Sequence, residues 1–534
     1  MLSGRDIRKK FADHLFGLSS SFFDKRRIGE LMSLATNDVD AIRMALGPGL
    51  LTLADALFYF LTVPVAMYWL SPKLTLIAFI PLPLIPLFVM RNEKEIHKRF
   101  DQVQASFGKI SSLAQENLNG IRVIKAFARE DAQLERFKRA GEDHIRHSLW
   151  LARVQSAFGP MLDFFMSLGL VLLLYFGGQS VIEKTVTLGT FVAFQRYIQK
   201  MVWPMTALGL SITYYQRGIA SSNRIQEVLS VKSDIEESLT PVLPADYRVG
   251  TFAAPWKTRG EIEFKNLSFR FAGAERESLS GLSLKIKAGE RIAFIGGIGS
   301  GKSALLGLIP RLYPVGRGML FIDGVDVNDW PIDELRRQVG YVSQEVFLFS
   351  DSVIENVAYG LSDLHDSSPA HLLKSSIVEA STRLASVHED MLGLREGYQT
   401  VLGERGVNLS GGQKQRLTIA RALAKQPSIL VLDDALSSVD VQTEERILTS
   451  LRSRGARNTE IIAAHRISTI KDADRIVVLD RGRIDQLGSH EELLKDRAGL
   501  YFNFYEQQRL KEDLEEFLHV LDERVDSTQD RTSS

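Results

Sequence analysis

The octet Gly296-Gly297-Ile298-Gly299-Ser300-Gly301-Lys302-Ser303 constrains this chain more than any other stretch, because it fits G-x-x-x-x-G-K-[ST] and follows the apolar run 291–295. A helix-like segment, 304–309, comes next, which completes the strand, loop, helix order that the pattern requires. The glycines let the backbone turn its N–H groups onto a phosphate chain. Lys302 can reach the β and γ phosphates, and Ser303 offers a hydroxyl to Mg2+.

Downstream, Ile429-Leu430-Val431-Leu432 reads as a buried strand ending in Asp433-Asp434, where a carboxylate can hold a magnesium shell. Tyr341-Val342-Ser343-Gln344 reads as a strand ending in glutamine. A further strand, 460–464, ends in His465. Glutamine and histidine at strand ends can both reach a γ-phosphate or the water that attacks it. Between these motifs lies Leu409-Ser410-Gly411-Gly412-Gln413, which opens a predicted helix over 414–424 with Ser410 at its N-cap region and backbone N–H groups facing outward.

In this order the motifs resemble the nucleotide-binding domain of an ATP-binding cassette (ABC) exporter. The resemblance covers nearly all of residues 1–502. It implies binding of ATP with Mg2+: Gly296 to Ser303 and Phe271 hold ATP, and Ser303, Gln344 and Asp433 surround the metal. Asp434, His465 and Gln344 act in hydrolysis, and Asp440 belongs to the D-loop. Phe271 stands where the family usually stacks a tyrosine on adenine, and phenylalanine keeps the stacking face. Residues 400–406 resemble the exporter X-loop. In the family the Walker motifs of one chain face the signature of another, so Leu409 to Gln413 act in trans.

One position departs from the family pattern. Most members place glutamate after the Walker B aspartate, and this chain has Asp434. Aspartate is one methylene shorter, so its carboxylate falls roughly an ångström short of the hydrolytic position, enough to cost orders of magnitude in rate. The resemblance is then to the degenerate-site subunit of a heterodimeric exporter, with a slow site of its own and an intact signature for its partner.

The composition suits a membrane protein once the chain is divided. Apolar stretches at 50–70, 74–90, 164–182 and 188–215 are each near the roughly 20 residues that cross a bilayer. About twenty Lys and Arg lie before residue 50 and over 91–157, against about two in the short turns at 71–73 and 183–187. The bias places 1–48, 91–157 and 216 onward in the cytoplasm, in a multi-pass protein of the cytoplasmic (inner) membrane. Those basic segments are interleaved with acids and lack aromatic runs, so no nucleic-acid partner is expected. Cysteine is absent, which removes disulfide, zinc-thiolate and thiol-nucleophile chemistry.

Residues 91–157 are too polar for a membrane and too periodic for a loop, which predicts helices projecting into the cytoplasm. Within them, Gln115 to Phe127 resembles the family's second coupling loop, and Phe22 to Asp40 resembles the first. A complete half-transporter of this family has six spans, and Met1 falls just after the second. The resemblance therefore implies a chain N-terminally truncated by two spans.

The expected fold is an α-helical transmembrane domain with four of the usual six spans over 1–231, and a linker over 232–260 containing Pro241, Pro244 and Pro255. An α/β P-loop ATPase domain with a helical subdomain follows over 261–502, then a charged tail over 503–534. In the ATPase domain, 261–271 and 282–286 alternate apolar residues, as in an antiparallel flank. Strands 291–295 and 429–432 are continuously apolar, as in a covered parallel core. Arg196 and Lys200 share a helix face, which suits an anionic or amphiphilic small-molecule cargo. The expected function is ATP-driven export as one half of a heterodimer. A non-transporting regulatory subunit, or a remnant that binds nucleotide and does nothing more, is the alternative.

Overall fold

The computed structural model describes residues 2–80, 84–236, 238, 240–244, 247, 258–361, 368–403, 406, 408–453 and 458–511. Residues 81–83 of the expected span at 74–90, Pro255 of the expected linker, residues 404 and 405 of the X-loop segment and the tail beyond 511 lie outside the described residues. The chain divides into two compact units, one of residues 1–16 and 27–231, the other of 17–26 and 232–534.

The first unit is helical throughout. Residues Ile28–Leu70 form 43 residues of continuous helix. It includes π turns at Leu34–Asp38 and at Ala45–Gly49, the latter around Pro48, whose missing N–H loosens the regular ladder. At 1.5 Å per residue this helix is roughly 64 Å long, about twice the hydrocarbon thickness of a bilayer. The predicted span at 50–70 is its apolar half, and the polar half continues beyond it. A second run, Glu130–Ile182, is 53 residues long.

These two are the described helices long and apolar enough to cross a membrane. Only 17% and 13% of their most apolar windows are buried inside the chain. Surfaces of that kind require lipid or other helices around them instead of water. The other two expected spans are helical but less plainly apolar. Stretch 74–90 is shared between Pro72–Phe79 and the start of Leu84–Asn119, and 188–215 lies in Leu188–Leu229, which carries Arg196 and Lys200. A core of Val63, Met67, Leu74, Leu173, Phe194, Ile198 and Met201 ties these helices together.

The expected first coupling segment does not behave as one element. Ser20–Lys25 is a short helix grouped with the second unit. Thr36 to Asp40 instead lies in the long helix of the first unit, where the buried Asp38 pairs with Arg224. A buried carboxylate needs such a partner, which fixes this part of the segment to its own helix bundle.

The second unit holds two sheets. Strands β1 (Ile262–Phe269), β2 (Leu279–Ile286), β4 (Leu320–Ile322) and β5 (Val325–Asp326) form an antiparallel sheet in the order β2-β1-β4-β5. The larger sheet is built from β3 (Arg291–Gly296), β6 (Val339–Val342), β7 (Ile429–Asp433), β8 (Thr459–Ala463), β9 (Arg475–Asp480) and β10 (Arg483–Gly488). Its order is β10-β9-β3-β8-β7-β6, parallel except for the β10 edge.

Alternate residues of the larger sheet enter two different cores. Phe294, Val431 and Ile461 pack on the antiparallel sheet and on helix Lys302–Leu308. Ile295, Leu432 and Ile462 pack on the other face with residues of Val353–Ala358, Gly411–Ala424 and Val441–Ser453. Both faces are covered, which is why these strands read as unbroken apolar runs.

Replacing the fully buried Ile461 with alanine should cost about 2–5 kcal/mol and lower the thermal midpoint of the detergent-solubilised protein by roughly 5 °C or more. A midpoint within 1 °C of wild type, taken here as about the error of such a melt, would contradict the two-faced core.

Candidate functional site

Parallel register gathers the predicted site residues. In β3, β8 and β7, Phe294 lies beside Ala463 and Ala463 beside Asp433. The loop after β3, His465 after β8, Asp433-Asp434 at the end of β7 and Gln344 after β6 therefore leave the sheet along one edge. With strands about 4.8 Å apart, the β3 and β7 backbones run roughly 10 Å apart with β8 between them, a gap that side chains from their ends can close.

The loop after β3 depends on its glycines. Gly301 has φ +103°, and a Cβ there would lie 2.6 Å from the Ser278 carbonyl oxygen. A side chain at Gly296 would lie 2.2 Å from the Leu479 carbonyl oxygen. Lys302 starts the next helix and is 8% exposed. Its Nζ donates to the carbonyl oxygens of Gly296 at 2.8 Å and Gly297 at 3.1 Å, and to Ser300 Oγ at 3.4 Å. These acceptors are uncharged. Burial lowers the lysine's pKa, and Asp433 and Asp434 oppose that effect. A buried ammonium held by carbonyl oxygens at the mouth of a Gly-rich turn fits an anionic phosphate chain.

Ser303 Oγ donates to Asp433 Oδ1 at 3.0 Å, so the two groups expected at the metal are already neighbours. Burial raises the carboxyl pKa of Asp433, the Ser303 hydrogen bond lowers it, and Asp434 raises it further. Asp434 is raised mainly by burial, with His465, Lys302 and Arg466 acting the other way. Its backbone is left-handed, φ +49°, and its N–H donates to the Ala463 carbonyl at 2.8 Å. Among non-glycine residues, aspartate is one of those that adopt this conformation more readily.

A cavity of about 450 Å3 is lined by Phe271, Ile298 to Ser303, Gln344, Asp433, Asp434 and His465. Gly296 and Gly297 do not line it but stand behind, holding Lys302. Phe271 meets Phe269 and Tyr313 edge-on, with ring centroids 4.9 and 5.1 Å away. That packing braces the ring while leaving it on the cavity wall. Tyr313 is in turn pushed up to about 12 by burial and by Asp24 of the Ser20–Lys25 helix.

The signature and D-loop residues do not line this cavity. Ser410 caps helix Gly411–Ala424 through a reciprocal box: its Oγ accepts the Gln413 N–H at 3.3 Å, and Gln413 Oε1 accepts the Ser410 N–H at 3.0 Å. Leu409 is buried, and a Cβ at Gly412 would lie 2.9 Å from the Ser438 carbonyl oxygen. The signature thus packs on residues 437–439, which lead into the D-loop Asp440, and Gln415 reinforces the contact by bonding Ser437 Oγ at 3.0 Å and the Ser438 N–H at 2.8 Å. Asp440 accepts the Thr443 N–H at 2.9 Å, which holds its carboxyl below the usual range.

Two further residues bear on the site. Ser278 lines the cavity beside Gly301, and Tyr341 in β6 stands near Asp433, its phenol pushed up chiefly by burial and next by the charge of Asp433. Ser278 has no sequence signal of its own. Tyr341 has a weak one, since it lies in β6 opposite Val431, two residues before Asp433.

With this geometry in place, comparisons with known proteins are specific. Residues 1–205 match the ABC transporter transmembrane region, and residues 279–437 match the ABC transporter domain. The multidrug resistance-like ATP-binding protein MdlA of Escherichia coli (strain K12) is 36% identical over 525 residues, 98% of this chain and 85% of that protein. The ATP-dependent lipid A-core flippase of Syntrophus aciditrophicus (strain SB) is 34% identical over 509 residues, 95% of this chain and 80% of that one. A solved structure of a bacterial Atm1-family ABC exporter with ATP bound superposes with a TM-score of 0.75 at 27% identity, covering 95% of this chain and 85% of that one. A membrane region, an ATPase built on a P-loop, and likeness along nearly the whole chain lead to one conclusion: the chain belongs to the ABC transporter family, as an exporter that carries its own ATPase.

Proposed function

We propose that this chain is one subunit of a heterodimeric ABC exporter, with a slow ATP site of its own and a signature that completes the partner's site. The observation that carries this reading is Asp434 at the end of β7, on the wall of the P-loop cavity with Gln344 and His465. Its raised pKa suits a base, but its reach is one methylene short of a glutamate. The separation of residues 409–413 from the chain's own P-loop cavity supports a signature that works on another polypeptide's ATP.

In this reading Lys302 and the N–H groups of residues 299–303 hold the phosphates, and Phe271 supports the adenine. Mg2+ bound with the phosphates neutralises their charge. Ser303 and Asp433 are placed to hold it, with Gln344 on the same cavity, and among the described residues no cluster of three or more acids and histidines offers a separate metal site. His465 orients the attacking water, and Asp434 polarises it from too far away. The chain crosses the cytoplasmic (inner) membrane several times, with its ATPase in the cytoplasm. The names of its relatives, a multidrug resistance-like protein and a lipid A-core flippase, support a small amphiphilic cargo.

Asp434→Glu should raise turnover at this chain's own site by about 100-fold, read as phosphate release by the full-length protein in lipid vesicles. A second cavity of about 90 Å3 lies against Asp434 and His465, so the longer side chain has space nearby. Fast turnover by the wild-type chain alone would defeat the slow-site reading.

Mixing the chain with a partner subunit whose own acidic strand ends Asp-Glu should restore ATPase. Ser410→Arg in this chain should then remove most of it while nucleotide binding at Lys302 persists. No gain on mixing would leave the regulatory or remnant reading in front. Replacing Arg196 and Lys200 together with leucine should change the profile of substrate-stimulated ATPase, and an unaltered profile would discard their part in cargo recognition.

A further inference from the structure

The signature motif is gripped by a residue that no motif includes. Asp390 lies in the short helix His388–Leu392, and its two carboxylate oxygens are used separately. Oδ1 accepts from Gln413 Nε2 at 3.0 Å, and Oδ2 accepts from Arg416 Nη1 at 2.7 Å. Arg416 is further fastened to the Ser386 carbonyl. The helix carrying Asp390 is itself anchored, because the buried His388 bonds through Nδ1 to the Tyr398 hydroxyl at 2.8 Å, and that hydroxyl also meets Thr382.

From this geometry we infer that Asp390 is a positioning residue for the signature. A carboxylate only accepts hydrogen bonds, so it can take only the NH2 end of the Gln413 amide. The Oε1 end must then face the Ser410 N–H, which is the polarity that the capping box requires. Arg416 neutralises the carboxylate and holds it in place, with side chains 14% and 30% exposed. The chain Asp390–Gln413–Ser410 thereby fixes the first turn of helix Gly411–Ala424 before any nucleotide meets it. This inference rests on the reading that the signature acts on a partner's ATP.

The test uses the full-length chain and Asp390→Asn, an isostere whose amide can present a donor to Gln413. In the chain alone, amide exchange over 410–413 should speed up by about tenfold, with the P-loop amides unchanged. In the mixed dimer, turnover at the partner's site should fall by about tenfold while this chain's own affinity for ATP stays at the wild-type value. Asp390→Glu, which keeps the charge, should recover most of both. Unchanged exchange over 410–413, or a loss of protection that spreads equally to the P-loop, overturns the inference. Turnover that is lost in Ser410→Arg but kept in Asp390→Asn also overturns it. Turnover kept in both variants instead overturns the reading that the signature works in trans.

Discussion

The site depends on the register of one parallel sheet. Strands β3, β8 and β7 are hydrogen-bonded side by side with Phe294, Ala463 and Asp433 at matching levels. A parallel ladder delivers all its C-terminal ends to one edge, so a phosphate loop, a histidine and two carboxylates meet without any loop having to search for them. Burial on both faces is what pins that register. A one-residue slip of β7 would exchange Val431 and Leu432 between two unlike cores, and would carry Asp433 away from Ser303.

The edge is electrostatically uneven. Lys302 is buried and held by neutral acceptors, whereas the buried Asp433 and the half-buried Asp434 are both disfavoured as anions. An anionic phosphate chain would offset the burial cost at Lys302, and a cation would offset that of the two carboxylates. The signature, in contrast, is finished in advance. Its cap, its glycine contact with Ser438 and its brace from Gln415 need nothing further from this chain's own nucleotide. A pre-set signature apart from the P-loop cavity supports the proposed sharing of work between two polypeptides.

The helical unit follows a different rule. Its long helices outrun the bilayer and expose apolar faces that water would penalise, so lipid or neighbouring helices stand in for a core. Where a charge is buried there, as at Asp38, a partner from another helix meets it. The π turn at Ala45–Gly49 lets Pro48 sit inside a continuous helix without ending it.

Much of this was legible in the sequence, because the signals are local. The P-loop pattern needs only its own eight residues, and unbroken apolar runs announced covered strands at 291–295 and 429–432. The Asp434 departure is a single letter. Tertiary structure decided what depends on distant partners. It divided the segment 22–40 between two units, because Asp38 finds Arg224 far along the chain while Asp24 meets Tyr313. It also brought Ser278 to the cavity wall beside Gly301 and Asp390 to Gln413, each pair 23 positions apart, and set Tyr341 near Asp433, 92 positions on. A motif carries its chemistry in its residue types, but the orientation of a glutamine amide is set by whichever acceptor folding places beside it.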